Sequence, residues 1–439
     1  MTSRTVTFRS LLAVGALVLS LAAFAALGVT RPVHLPEPLA GTAPYDLAPY
    51  GMPAYGTTTP HTHTPAAPAP ENSSPHASLY SYTSLYSYSS PYPPFAAILL
   101  VPTVWLPAGA LKVVLLLGNL ALLALLVRLS ARLAGRPASA LVVMGAVAAG
   151  LWLEPVSRTI LLGEITLALA CLVLWDLARP DHALGKGFAL GVAAGVTLTP
   201  ALFIAYLLLT SRVRQGLTAL AALAATVLLG ALVLPYASGE FWTARILAAD
   251  RTGAVWGVAD QSLHGLLARL CPTDRPGLRW AAVALVTGAA GLWAARRAAV
   301  RAGSETWGVL LTAVTALLVT PVSWSHEWVW CVPLLAALLA EGRVRTAVLA
   351  GAVWTARGFW AVPYEADPAP RPPWWHQPLI SPYTLCALAL LTLTTWHTRT
   401  PRPTGPPYRL PGPRGDRKAT AGAGKDRRVV AHADHPERR

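Results

Sequence analysis

Long uncharged apolar runs, separated by short polar islands, organise this chain from its N-terminus to about residue 396. The first, Ser10 to Leu27, follows Arg4 and Arg9, and its uninterrupted length favours a retained membrane helix over a cleaved signal peptide. Further runs fall at about 109–127, 138–153, 164–178, 187–210, 216–235, 280–295, 306–322, 328–340, 345–362 and 380–396. Several are shorter than the ~20 residues a helix needs to cross hydrocarbon, which predicts helices that break or end at a water-filled cavity. The piece from Pro94 to Pro107, with Pro102 in its middle, is short for a span and is expected to lie along the interface. The run 187–210 is expected to be a hairpin of two short helices turning near Thr197, Thr199 and Pro200. The pattern predicts an all-α polytopic membrane protein with about twelve membrane segments and both termini cytoplasmic.

Composition agrees, with 54% hydrophobic and only 13% charged residues, and a net charge of +15. In such a chain the basic excess reports topology before it reports a partner. Most Lys and Arg fall in segments that the N-in orientation places inside: Arg4 and Arg9, Arg128 to Arg136, Arg179 and Lys186, Arg212 and Arg214, Arg296 to Arg301, Arg343 and Arg345, and the tail. Nucleic-acid binding would need a folded reader or interleaved aromatics, and neither is visible. The 4 Cys, at 171, 271, 331 and 386, form no CxxC pair and no metal-ligand spacing.

The polar islands are then expected to converge on one, outer, face. They comprise the loop 30–108, Glu154 to Glu164, the turn at Thr197, the loop 236–278, the island Pro321 to Trp330 and the loop 363–383. PVSWSHEWVW sets His326, Glu327 and three Trp between apolar runs, and ionisable groups in that setting mark a functional site. Its Trp residues also suit interfacial anchors. Taken alone, Asp46 reads as a turn former, Tyr92 to Pro94 as a rigid loop exit, and Asp260 to Ser262 as a helix cap before Leu263. Together with Arg158, they outline a cavity with an acid, a His and several Arg, as transfer from a phosphorylated lipid requires. The tract 57–91, rich in Ser, Thr, Pro and Tyr, is expected to stay unfolded as a lid or insert. Its Tyr80, Tyr82, Tyr86 and Tyr88 could stack on sugar, while His61, His63 and His76 sit in a solvated stretch. Residues 1–396 read as the membrane domain and 397–439 as a basic, disordered cytoplasmic tail resting on anionic membrane lipids.

DLxxY at Asp46 to Tyr50, YPPFAAILLVP at Tyr92 to Pro102, EP at Glu154, LTP at Leu198 to Pro200, QSLHGLLARL at Gln261 to Leu270, and PVSWSHEWVW resemble, in that order, glycosyltransferase family 87. These are polyprenol-phosphate-mannose-dependent alpha-1,2-mannosyltransferases of actinobacterial envelopes. The resemblance implies a GT-C membrane fold in the plasma membrane with its active site on the outer face. It implies a polyprenyl-phosphate-linked sugar donor, a glycolipid or lipid-anchored glycan acceptor, and inversion at the anomeric carbon. Asp46 matches the general base and His326 the SWSH histidine. Tyr50, Tyr92, Glu154, Arg158, Glu164, Thr197, Asp260, Gln261, Ser262, Trp324 and Glu327 are the expected substrate-binding positions.

Four positions depart from the family pattern. Glu164 stands where Gln is usual, Thr197 where Lys is usual, Asp260 where Asn is usual, and Glu327 where a second His is usual. Each change removes positive charge or adds negative charge, so Arg158, Arg245, Arg251 or Arg269 would have to supply the cation for a donor phosphate. The added carboxylates make a divalent metal at Asp46, Glu164, Asp260 or Glu327 conceivable but not favoured, and no cofactor is expected. A non-catalytic relative that binds lipid-linked sugar and a lipid or polysaccharide transporter remain alternatives. A transporter would show paired internal repeats, and none is seen.

Overall fold

The computed structural model describes residues 13–23, 92–245, 257–271, 277–362 and 373–397. Asp46, Tyr50, the tract 57–91, Arg251 and the tail beyond residue 397 lie outside the described residues, as does the side chain of Arg245. Among the described residues the chain is helical, with no strand and one isolated bridge between Asp260 and Trp324. The helices are α1 (Ala13–Ala23), α2 (Pro94–Leu100), α3 (Ala108–Leu133), α4 (Ala140–Gly150), α5 (Glu154–Leu162), α6 (Thr166–Ala178), α7 (Phe188–Val196), α8 (Leu202–Leu209) and α9 (Val213–Val233). They continue with α10 (Pro235–Glu240), α11 (Leu263–Leu270), α12 (Gly277–Arg296), α13 (Glu305–Val319), α14 (Cys331–Ala340), α15 (Val344–Thr355), α16 (Gln377–Ile380) and α17 (Pro382–His397).

Helices α3 and α9 are long and apolar enough to cross a membrane alone. Two bent pairs, α4 with α5 at 82° and Trp374–Ile380 with α17 at 91°, reach that length only when each is taken together. The protein is therefore a polytopic membrane protein.

The predicted apolar runs become helices close to their expected places, and the polar islands differ more. Glu154 to Glu164 is expected as an outer loop. Instead its first nine residues form α5, with six of them buried. Pro155 sits in the first turn, where no backbone N–H is needed, and Gly163 at φ 70° closes the C-terminus in the left-handed conformation that glycine adopts without strain. Polar residues on the buried face disguise this helix in the sequence. Likewise α11 lies inside the expected loop 236–278, and Ser262 caps it as the sequence suggests, its Oγ accepting the Gly265 N–H at 3.0 Å.

The run 187–210 folds as a hairpin. Gly187, Gly191 and Gly195 bring α7 against α9 so closely that a Cβ on Gly191 would strike the Ala219 carbonyl and one on Gly195 the Thr226 side chain. The contacts advance together along both helices, from Gly187 at Gln215 to Gly195 at Thr226, so α7 and α9 run parallel. Leu208, near the end of α8, packs on Gly216 at the start of α9, so α8 returns to where α7 began. The reversal occurs at Thr197 and the 3-10 turn Thr199–Ala201, where Pro200 cannot continue α7. Helix α2 and the 3-10 turn Val101–Trp105 stay too short to span, and α2 abuts Gly230 near the far end of α9.

This arrangement separates two polar ends. At one, Thr306 donates to the Leu133 carbonyl at 2.6 Å, Arg296 to the Leu209 carbonyl at 2.8 Å, Arg212 to Glu305, and Lys186 and Gln215 to Asp181. These are basic segments of the chain. At the other end meet Tyr92, α5, the turn at Thr199, residues 257–269, residues 320–328, and the segments around Trp360 and Tyr383.

Candidate functional site

Glu154, 1% exposed, opens α5 and holds the site end together. Its Oε1 accepts from Ser325 Oγ and from Trp360 Nε1, each at 2.9 Å, and its Oε2 accepts from Tyr383 OH at 2.8 Å. Arg158 Nε stands 3.9 Å from the same carboxylate. A buried carboxylate with three good donors is a stable junction, and removing it would strand all three. The next residues of α5 each bind a different segment. Ser157 Oγ donates to the Glu154 carbonyl at 3.0 Å and accepts from Arg357 Nη2 at 2.9 Å. The Arg158 guanidinium lies 4.0 Å over the Trp360 ring centre. Thr159 Oγ1 lies 2.9 Å from the His326 carbonyl and 2.8 Å from the Pro155 carbonyl.

A second junction ties residues 257–262 to the PVSW segment. Asp260 Oδ1 accepts the Ser262 N–H at 2.9 Å and the Ser323 N–H at 3.0 Å. Gln261 donates to the Val258 and Ile380 carbonyls, and its Oε1 accepts the Tyr383 N–H at 3.2 Å. Arg269 is committed to the carbonyls of Gly257 and Asp260 and to Ser381 Oγ. Burial pushes the Asp260 carboxyl up to about 6, with the charge of Arg269 and the two backbone N–H groups pulling it back. Asp260, Gln261 and Ser262 are all at most 1% exposed.

Between α6, the hairpin turn, α13 and the segment Ser325–Trp330 lies a cavity of about 530 Å³, counting its open mouth. Tyr92, Thr197, Thr199 and Glu327 give it polar groups, while Leu169, Phe203, Leu317 and Trp330 contribute to its apolar walls. Phe203 and Trp330 stack with ring centres 5.4 Å apart. Tyr92 OH donates to Glu164 Oε2 at 2.9 Å. Loss of water around Glu164 raises its carboxyl above the usual range, and the Tyr92 hydrogen bond opposes that shift. Glu327 Oε2 has no hydrogen-bond partner. Among the described residues no three His, Cys, Asp or Glu side chains group as metal ligands.

Of the positions expected to touch substrate, the structure brings Tyr92, Glu164, Thr197 and Glu327 together at the cavity. Glu154, Arg158 and His326 meet along α5, and Asp260 to Ser262 lie behind the half-buried Trp324, which bridges to Asp260. Asp46 and Tyr50 lie outside the described residues. Ser157, Arg357, Trp360 and Tyr383 also belong to this end and carry no motif that marks them. Some 200 residues separate Arg357 and Trp360 from α5, so no local spacing could have revealed them.

The profile of glycosyltransferase family 87 matches residues 91–321, more than half of the chain. The chain belongs to glycosyltransferase family 87. This family-87 protein is 37% identical over 330 residues to a polyprenol-phosphate-mannose-dependent alpha-(1-2)-phosphatidylinositol mannoside mannosyltransferase of Mycobacterium tuberculosis, covering 69% of this chain and 75% of that protein. It is 32% identical over 275 residues to the corresponding phosphatidylinositol pentamannoside mannosyltransferase of Mycolicibacterium smegmatis, covering 62% and 67%. No solved structure gives a significant match. The family match contains Glu154, Arg158, Glu164, Thr197 and residues 260–262, and ends just before Ser323 to His326.

Proposed function

We propose that this membrane glycosyltransferase moves mannose from a polyprenyl-phosphate donor to a hydroxyl of an envelope glycolipid of the phosphatidylinositol mannoside type, forming an alpha-1,2 linkage with inversion. The similarity to the M. tuberculosis mannosyltransferase across 75% of that protein carries this reading. The cavity supports it, being apolar enough for a prenyl chain and polar at Tyr92, Thr197, Thr199 and Glu327 for a sugar.

In this mechanism Asp46 is the general base. It takes the proton from the acceptor hydroxyl as that oxygen attacks the anomeric carbon; the bond from that carbon to the phosphate oxygen breaks, and polyprenyl phosphate leaves. His326 faces the leaving phosphate, its backbone held by Thr159. Glu154 and the Asp260–Ser262 segment act as positioning residues: both Glu154 oxygens, Asp260 Oδ1, the Gln261 amide and Ser262 Oγ are engaged by protein. Tyr50, Tyr92, Glu164, Thr197, Trp324 and Glu327 contact donor or acceptor. No cofactor takes part.

The protein sits in the plasma membrane with about twelve segments, both termini cytoplasmic and the cavity on the outer face, as the basic segments at the opposite end support. Reporter fusions after Arg136 and Gly257 are expected on opposite sides of the membrane, and the same side for both would overturn this topology. Asp46→Asn is expected to lower transfer by about 10²-fold or more with the fold intact. Transfer retained at the parent rate would remove Asp46 as the base.

A further inference from the structure

We infer that the cavity lined by Glu327 is a hexose pocket, in which the Glu327 and Glu164 carboxyl groups accept sugar hydroxyls while the donor phosphate stays outside. The inference deepens the sugar-transfer reading above and rests on it.

The lining of the cavity decides what it can hold. It includes Glu327, Tyr92, Thr166, Thr197 and Thr199, and no Lys, Arg or His. Glu164 joins it through Tyr92, whose hydroxyl donates to Glu164 Oε2 at 2.9 Å, and the next two residues, Ile165 and Thr166, form part of the wall. A phosphate finds no cation to pair with in such a lining. A hydroxyl finds acceptors on the carboxyl groups and on the threonines.

Glu327 adds a second, independent observation. Its Oε2 is buried with no hydrogen-bond partner in the protein, while the residue borders the open cavity. Leaving a buried acceptor unpaired is costly, and a hydroxyl donated from the cavity satisfies it.

The apolar part of the wall fits the same ligand. Trp330 lies in the same 3-10 segment as Glu327, Ser325–Trp330, and stacks on Phe203 with ring centres 5.4 Å apart. Both rings line the cavity. A pyranose carries hydroxyls round its edge and C–H groups on its faces, so it matches polar groups set beside aromatic ones. A prenyl chain would meet the aromatic wall and leave Glu327 without a donor. Glu327 also directly follows His326, whose carbonyl lies 2.9 Å from Thr159 Oγ1. A sugar held there lies beside the residue proposed to face the phosphate.

The hexose belongs either to the donor or to the acceptor glycolipid. The test uses the full-length protein in detergent as parent, Glu327→Gln and Glu327→Ala. Each form is given one lipid at a time, so that no transfer is required: polyprenyl-phosphate-mannose, polyprenyl phosphate, which has no sugar, or a phosphatidylinositol mannoside. Glu327→Ala is expected to weaken binding of one mannosylated lipid by about tenfold and to leave polyprenyl phosphate within about twofold, with Glu327→Gln intermediate. A loss on polyprenyl-phosphate-mannose assigns the hexose to the donor, and a loss on the mannoside assigns it to the acceptor. Among monodeoxy analogues of that lipid, the one lacking the hydroxyl that Glu327 accepts should bind parent and Glu327→Ala alike. An equal loss for all three lipids, or the full loss with every deoxy analogue, would overturn the inference, as would unchanged affinity for both mannosylated lipids in a folded Glu327→Ala protein. Glu327-dependent binding of a mannosylated lipid by a parent protein that transfers no mannose would keep the pocket and reject the transferase reading.

Discussion

The two polar ends of this bundle are built from the same residue types and finished differently. At the basic end, Arg212 meets Glu305 through two bonds of 2.6 and 2.7 Å, and Lys186 meets Asp181 at 2.9 Å. There Asp176 accepts the N–H groups of Gly187 and Leu190 while Arg179 lies 3.3 Å from it. The charges close on one another and on the start of α7. At the site end, Glu154 and Asp260 are braced by several donors, yet Glu327 Oε2 and Asp260 Oδ2 lack hydrogen-bond partners, and Arg158 stays half-exposed. One end is a lattice that fixes helices. The other is a frame beside a cavity whose polar lining is Tyr92, Thr197, Thr199 and Glu327, which is what a site for a sugar and a phosphate needs.

Glu154 is the point at which the site end is most easily undone. Glu154→Ala leaves Ser325, Trp360 and Tyr383 without their acceptor and is expected to destabilise the protein by about 3–5 kcal/mol and abolish transfer. Glu154→Gln, which keeps one acceptor oxygen, should lose less of both, as thermal unfolding and an activity assay would reveal. A Glu154→Ala protein as stable as the parent would show that the carboxylate holds nothing together. At the basic end, Arg212→Ala should cost only ~1 kcal/mol, because both partners of that pair are partly exposed. Its donor KM is expected to stay within about twofold, since a residue that only fixes helices contributes no transition-state contact. A much higher KM would mean that the two ends are not functionally separate. The smallest stability effect is expected from Glu327→Gln, at under ~1 kcal/mol, because one carboxylate oxygen has no hydrogen bond to lose. A large drop in thermal midpoint would show that Glu327 belongs to the frame rather than to the cavity.

Much of the frame was legible in the sequence, for a physical reason. Apolar runs must become helices when no water is present to satisfy the backbone, so α3, α6, α9, α12 and α13 lie close to their expected places. The turn at Pro200 was legible because proline interrupts an apolar run. Helix α5 was not, because its buried face carries Glu154, Ser157 and Thr159, and polarity is the sequence's usual sign of a loop. The every-fourth-residue glycines of α7 carried a packing signal that the apolar pattern concealed. In the site, Tyr92, Thr197 and Glu327, far apart in sequence, line one space that Glu164 joins through Tyr92, and Arg357 and Trp360 reach α5 only through the tertiary fold.

In the function proposed, the site end transfers mannose from a polyprenyl phosphate. The most direct test is incubation of the purified full-length protein with radiolabelled polyprenyl-phosphate-mannose and phosphatidylinositol mannoside acceptors, alongside Asp46→Asn. Labelled acceptor carrying a new alpha-1,2-linked mannose, formed by the parent and lost in the variant, is the predicted result. A folded parent protein that leaves the donor unconsumed, or that transfers equally well without the Asp46 carboxylate, would contradict it.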